Sequence, residues 1–446
     1  MLGTVLNGEL RAARVRNKTA GSRARFERAQ QSLALGVSSA VRRDTRPYPL
    51  YFECGLGSRI TDVDGNSYLD YGLAWGPLIL GHAPPEILEA VTRQLQKGFT
   101  FGAQHDLEFE VAEKLIAIIP CADAVCFANS GSEAVQLALR LARAATGRKK
   151  VLKFEGHYHG STEGILVSYH PTPTQIAAAE GDPIPVGPGQ VPPDHVIVTE
   201  WNSVAGVEEA FAFAGSEIAA VICEPLLCNS GCIPPLPGFL DFLRRITERH
   251  HAVLIFDEVI TGFRLDLRGA QGYYEVTPDL ATYGKAVGSG VPVSVLAGRS
   301  ELMSLISERK VVHMGTLNGN PFSLSAVRAT LEVLSRDDGA IFSDLHRRGK
   351  RLREGLQRHL QAKGLQVVTS GEGPVFQLSF MDKPPTNYRQ TLAADRAIYS
   401  DFAVSLLDER VFVLPDGRWY LSAAHSDEDV EATLAAAELA IEPIPE

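Results

Sequence analysis

The chain of 446 residues is predicted to fold as a doubly wound α/β layer with a smaller α+β domain attached, and three observations carry that reading. Short apolar runs alternate with helix-period stretches from about residue 105 to 330. The two flanks are of another kind, with β-type runs broken by turns and with charged amphipathic segments. Between them, the run from Ala252 to Phe256 ends in Asp257 and Glu258, at the strand end where open α/β sheets bind ligands.

Each element follows from its pattern. The segments from Ala124 to Phe127, Val151 to Phe154, Val196 to Val198, Ile218 to Cys223, Ala252 to Phe256 and Val293 to Ala297 read as short buried strands. Ala134, Leu137, Ala138 and Leu141 fall at i, i+3, i+4 and i+7, as do Phe239, Phe242, Leu243 and Ile246, so a helix is expected at each place. Asp64-Gly65-Asn66 between Ile60 and Tyr68 signals a hairpin. Residues 335 to 362 read as a charged amphipathic helix, and strands are expected from Val375 to Phe380 and Trp419 to Ser422. The expected division is 1–85 and 335–446 for the smaller domain, built from both ends, and 86–334 for the large one. The Pro-, Gly- and Ala-rich stretch from Pro171 to Pro193 is expected to be a functional or mobile loop.

Composition narrows the function. Hydrophobic residues make up 45% and charged residues 22%, enough for a large core and against a mainly disordered chain. The net charge of -10, from 53 acidic and 43 basic residues, argues against a groove that neutralises many phosphates of a nucleic acid. No apolar run approaches the roughly 20 residues of a membrane helix. No apolar h-region of a secretory leader follows the basic start, and the Arg-rich first 28 residues, which a transit peptide would resemble, are expected to form a solvated helix. Six cysteines without a C-x-x-C pair, including Cys223, Cys228 and Cys232, read as buried or semi-buried thiols of a reducing, cytoplasmic compartment, with no metal site.

Three segments carry chemistry. Ser130-Gly131-Ser132 follows a strand and opens a helix, with Ser130 and Glu133 at capping-box spacing, so backbone N–H groups gather at the positive end of a helix and suit a phosphate. Asp257, an acid at a buried strand end, needs a cationic or hydrogen-bonding partner, and a pyridinium nitrogen is one such partner. A Walker-type Mg²⁺ acid is the competing reading, but no G-x-x-x-x-G-K-[ST] accompanies it. Lys285 stands alone among Gly284, Gly288 and Gly290, where no helix is expected, and apolar surroundings there would favour the neutral amine a Schiff base needs. Anion cradle, carboxylate and isolated lysine are together the parts that hold pyridoxal 5'-phosphate.

Ordered motifs make the sequence recognisable. They include Asn129-Ser-Gly-Ser-Glu-Ala, Lys153-Phe-Glu-Gly-His-Tyr-His-Gly160, Asn229-Ser-Gly-Cys-Ile-Pro-Pro, Phe256-Asp-Glu-Val-Ile-Thr-Gly-Phe-Arg264 and Gly315-Thr-Leu-Asn-Gly-Asn-Pro321. The chain resembles the class III, fold type I, pyridoxal-phosphate-dependent aminotransferases over nearly its whole length, and within them the glutamate-1-semialdehyde 2,1-aminomutase group. The resemblance implies Lys285 as the Schiff-base lysine and Asp257 as partner of the pyridine nitrogen. It implies Gly131 and Ser132 at the phosphate, Tyr158 stacked on the ring, and Val259 on the opposite face. Glu224 and Asn229 are implied near the cofactor. Thr316 is implied to reach the phosphate of the neighbouring subunit in a homodimer.

Two departures bear on the substrate. Where the aminomutases have a small Gly/Ser gating loop, this chain has Ser168-Tyr-His-Pro-Thr-Pro-Thr, stiffened by prolines. Near the C-terminus Arg418 stands close to the place of an acid in the mutases. It resembles the carboxylate-binding arginine of β-amino-acid aminotransferases, as Arg42 resembles that of the mutases; either is otherwise an ordinary surface arginine. A mutase must retain its intermediate through both half-reactions. The expected function is therefore an aminotransferase moving an amino group between a small carboxylate-bearing amino acid, β- or ω- included, and a carbonyl acceptor by a ping-pong mechanism. The alternative is an aminomutase giving 5-aminolevulinate.

Overall fold

The computed structural model describes residues 8–179, 181–191 and 193–442. In chain order the strands are β1 Phe52–Leu56, β2 Arg59–Asp62, β3 Ser67–Asp70, β4 Ala124–Ala128, β5 Lys150–Phe154, β6 Val196–Thr199 and β7 Ile218–Cys223. They continue with β8 Val253–Glu258, β9 Leu280–Tyr283, β10 Ser294–Gly298, β11 Val368–Glu372, β12 Val375–Ser379, β13 Val411–Phe412 and β14 Arg418–Tyr420. The chain divides into two compact units, Met1–Pro84 with Ser343–Pro384 and Ala393–Glu446, and Pro85–Phe342 with Pro385–Leu392.

The larger unit is built on a seven-stranded sheet of order β4-β10-β9-β8-β7-β5-β6. Strands β9, β8, β7, β5 and β6 pair in parallel, and β10 runs antiparallel between β4 and β9. All six residues of β7 and of β8 are buried, which is why both read as continuous apolar runs. Strand β9, Leu-Ala-Thr-Tyr, is too short and mixed to stand out in the sequence. The helix Gly131–Thr146 covers the sheet with Val135, Leu137, Ala138, Leu141 and Ala142, which pack with Val151, Ile222, Ile255 and Leu296. Burying each Val, Leu or Ile side chain among them contributes about 1.5–3 kcal/mol. The sheet and this helix thus form a stiff platform for the loops at the strand ends.

In this unit the stretch after Pro171 is not without structure: Pro173–Ala178 is a helix, started by a capping box in which Thr172 accepts from the Gln175 N–H and Gln175 reaches back. Lys285 likewise does not sit in irregular chain but opens a 3₁₀ turn, Lys285–Gly288. Residues 385–392, which hydrophobic pattern groups with the C-terminal part, belong to this larger unit, and so do residues 335–342.

The smaller unit has a four-stranded sheet of order β1-β2-β3-β13 and a three-stranded antiparallel sheet of order β11-β12-β14. The Asp64-Gly65-Asn66 turn joins β2 to β3, with Asp62 Oδ1 accepting from the Asn66 N–H at 2.8 Å. The Arg-rich N-terminal stretch forms the helices Gly8–Lys18 and Ala20–Ala29. It is more than a solvated face: Ala12 and Val15 pack on Tyr68, Val404 and Leu407, and buried Arg11 bonds to Asp408 at 3.1 Å. No helix among the described residues is long and apolar enough to cross a membrane. Cys54 is exposed, unlike the other five cysteines, and no metal-holding group of His, Cys, Asp or Glu occurs among the described residues.

Candidate active site

The carboxyl ends of β4, β5, β7, β8 and β9 all contribute to one cavity of about 300 Å³ in the larger unit, within the range for small-ligand sites. Its wall includes Ser130, Gly131, Ser132, Tyr158, His159, Glu224, Asn229, Asp257, Val259 and Lys285. The antiparallel β10 enters from the other direction, so Val291, Pro292 and Val293 close the same wall.

The helix Gly131–Thr146 points its N-terminus at the cavity. Ser130 is its N-cap; its hydroxyl accepts from the Glu133 N–H, and the Glu133 carboxylate accepts from the N–H groups of Asn129 and Ser130. Ser130 and Glu133 are therefore engaged in capping, while Gly131 and Ser132 stand at the first two helical positions, whose N–H groups have no intrahelical acceptor. A Cβ on Gly131 would lie 2.9 Å from Val259 Cγ2, so glycine lets the helix start close against Val259. Gly160, at φ +94°, similarly passes against Ser132.

Period-two alternation separates the two acids of β8. Glu258 is buried away from the cavity and accepts from the N–H groups of Ala270 and Gln271, the Gln271 side chain and the Thr261 hydroxyl. Asp257 faces the cavity. Its Oδ1 accepts from the Val259 N–H and the Thr282 hydroxyl, each at 3.2 Å, and its Oδ2 lies 2.8 Å from His159 Nδ1. Burial pushes the Asp257 carboxyl up to about 6; the Val259 N–H, the Lys285 charge and the Thr282 hydroxyl pull it back. His159 is fully buried, which drives its pKa well down, and its Nε2 has no hydrogen-bond partner among the described residues. The neutral ring therefore donates from Nδ1 to Asp257.

Lys285 follows β9 directly through Gly284, half-buried, with φ 47°. A lysine in the left-handed region is a strained placement that the surrounding structure must hold. Glu224, at the end of β7, is buried and pushed up to about 7 by desolvation, although the Tyr158 N–H at 2.9 Å and the Asn229 side-chain amide at 3.0 Å both donate to it. Tyr158, half-buried, is thus fixed through its backbone. Its ring centroid lies 5.1 Å from that of Tyr169, which stacks on His170 at 4.0 Å, and His170 stacks on Tyr388 at 5.9 Å. Tyr388 donates to the Pro171 carbonyl at 2.8 Å. Tyr158, Tyr169, His170 and Tyr388 thus form an aromatic ladder along this segment.

The chemistry of this donor set fits pyridoxal phosphate: helix N–H groups for an anion, a raised and hydrogen-bonded carboxylate for a ring nitrogen, an amine on the same wall, and a tyrosine and a valine for the ring. The model for "Aminotransferase class-III" matches residues 40–422. The chain belongs to the class III aminotransferases. It is 44% identical to a glutamate-1-semialdehyde 2,1-aminomutase of Methanothermobacter thermautotrophicus over 93% of this chain and 97% of that one. Among solved structures, an omega-transaminase from Sphaerobacter thermophilus matches at TM-score 0.87 and 34% identity, covering 94% of this chain and 97% of that one. A transaminase with PLP bound matches at TM-score 0.87 and 28% identity, covering 95% and 97%. The fold is the fold type I α/β fold of this family, and pyridoxal 5'-phosphate is the cofactor.

Sequence reasoning selected ten residues for the cofactor, and nine line this cavity. The tenth, Thr316, is exposed in the turn after Gly315 and is not on the cavity wall of its own chain. Arg42 and Arg418 lie in the smaller unit. Arg42 is exposed at the end of the turn Ala40–Arg42. Arg418 is no surface arginine: its side chain is 5% exposed, it bonds to Asp416 at 2.7 Å, and its guanidinium carbon stands 5.6 Å from the Trp75 ring centre. Sequence reasoning passed over His159 and Thr282. His159 carried a signal, its place directly after Tyr158. Thr282 carried none, because its approach to Asp257 comes from the β8–β9 register.

Proposed function

We propose that this class III enzyme transfers the amino group of a small carboxylate-bearing amino compound, with Lys285 as the proton carrier. The observation that carries the proposal is the meeting of Lys285, Asp257, Tyr158 and the N-terminus of the helix Gly131–Thr146 on one cavity. Gly131 and Ser132 would hold the phosphate, Tyr158 and Val259 the two ring faces, and Asp257 the ring nitrogen. Glu224 and Asn229 would fix the Tyr158 side of the wall.

When bound, pyridoxal phosphate supplies an electron sink for the bond broken at the substrate carbon. The protein's own part is positional and acid–base. The Asp257 carboxylate, raised to about 6, shares a proton readily with a basic nitrogen and is kept in place by Val259, Thr282 and His159. Lys285 Nζ would take the proton from the substrate carbon and return it two bonds away, across the substrate nitrogen, a 1,3 transfer by one base on one face. Leu226, Ile260 and Val293 supply apolar surface on the same wall.

Two forms of this reaction remain, and the first to test is the intramolecular one, glutamate 1-semialdehyde to 5-aminolevulinate. It is supported by the aminomutase relative, 44% identical over nearly the full length of both chains. That support raises the form the sequence reading ranked second. A specific observation favours the other form, the ping-pong aminotransferase: the Tyr169–His170–Tyr388 ladder stiffens the segment a mutase would use as a gate. Thr316, exposed beside Met314 and Leu317, would complete the site of a second copy, so the active unit is a homodimer.

Mass balance separates the forms. The loaded enzyme is given glutamate 1-semialdehyde alone, then candidate β- and ω-amino acids with and without a keto acid. Isomerisation without an acceptor supports the mutase. Strict dependence on a second carbonyl compound removes it and leaves the aminotransferase.

A further inference from the structure

Lys153, in β5, is 0% exposed, a placement lysine seldom takes. Its Nζ donates to three backbone carbonyls, His157 at 3.0 Å, Ile165 at 3.2 Å and Val167 at 2.7 Å. Three acceptors match the three N–H bonds of an ammonium. A neutral amine has two, and its lone pair would face a carbonyl oxygen. The geometry therefore holds the charged form, although burial pushes the pKa down to about 7 against the pull of Glu224.

The three carbonyls belong to the two ends of one loop. His157 comes directly before Tyr158, and Ile165 and Val167 lead into Ser168, whose carbonyl accepts from the Gly156 N–H at 2.8 Å. Between the ends the chain carries Tyr158, His159 and Gly160, all on the cavity wall. The loop also meets the surrounding structure through the Tyr158 N–H to Glu224, the Ser161 N–H to Ser132 Oγ at 3.1 Å, His159 Nδ1 to Asp257 at 2.8 Å and the Glu224 N–H to His157 Nδ1 at 3.0 Å.

We propose that Lys153 is a positioning residue for the cofactor site: its ammonium draws the two ends of the 155–168 loop together and so sets where Tyr158 and His159 stand. The inference rests on the reading of this cavity as the pyridoxal phosphate site.

The test uses the full-length chain, stripped and titrated with pyridoxal phosphate, with visible circular dichroism of the bound cofactor as a second readout. Lys153→Met keeps the aliphatic stem and removes the three donors. The variant is expected to fold, to bind the cofactor about tenfold more weakly or worse, and to show a reduced dichroic band. Combined with Tyr158→Ala and His159→Phe together, it is expected to add less than about twofold to the loss that those two changes cause without it, because Lys153 acts through those two side chains. Unchanged affinity, or losses that multiply in full, overturn the proposal. If Lys153→Met is insoluble, Lys153→Gln, with two N–H donors, carries the same comparison. Insolubility of both also overturns it, since the ammonium then holds the whole fold and not the loop. Failure of the site reading would show separately, in the wild-type chain, as reduced cofactor attached elsewhere than Lys285.

Discussion

His159 Nδ1 stands 2.8 Å from Asp257 Oδ2, and the two side chains are 0% and 5% exposed. With its ring neutral, His159 donates one charge-assisted hydrogen bond and adds no positive charge beside the carboxylate. Such a bond is worth about 1.5–3 kcal/mol. His159→Phe keeps a ring and removes the donor. The variant is expected to lose about tenfold or more in pyridoxal phosphate affinity or in kcat. Wild-type values for both would mean that Val259 and Thr282 alone orient Asp257.

Asp257 also sets a pH dependence. Its carboxyl is raised from 3.8 to about 6, so the folded protein binds a proton there that the unfolded chain has released. Stability linked to this group is present below about pH 4 and is lost as pH rises through about 6. Stripped Asp257→Asn lacks this loss. Its melting temperature relative to stripped wild type is expected to rise between pH 4 and pH 7.5, while activity of the loaded variant falls by orders of magnitude. A pH-independent difference would contradict the assigned shift.

Gly131 is required by the closeness of Val259. Gly131→Ala must move Val259 or the first helical turn, at about 1–3 kcal/mol. Both adjoin the proposed phosphate and ring positions, so cofactor affinity is expected to fall more than melting temperature. Calorimetric titration of the stripped variant checks this, and unchanged affinity would place the phosphate elsewhere.

Arg418 tests the substrate reading. It is buried against Asp416 and Trp75, so Arg418→Ala is expected to lower stability by roughly 1–3 kcal/mol whatever its role. A carboxylate-binding role predicts in addition a KM increase of at least about tenfold for carboxylate-bearing substrates and little change for simple amines. Equal changes for both would leave Arg418 a structural residue.

The sequence made the strand ends legible because buried parallel strands are apolar runs that stop at the site. Asp257 is visible for that reason, and Lys285 because a lone lysine among glycines is unusual. Thr282 and Lys153 were hidden for the opposite reason. Thr282 meets Asp257 only through strand register, and Lys153 finds its three carbonyls only after the chain has folded back over 14 residues to Val167. The segment after Pro171 looked irregular because prolines dominate it, yet Pro at the first helical position is compatible with a helix start. The aromatic ladder likewise depends on Tyr388, which is remote in sequence and close in space.

The central claim is that Lys285 holds the cofactor opposite an ionised Asp257. The most direct test is borohydride reduction of the loaded enzyme followed by peptide mapping. The account predicts the pyridoxyl mass on Lys285 in the wild-type chain and its absence in Lys285→Ala. Label on another lysine, Lys153 included, with Lys285 unmodified, would contradict it.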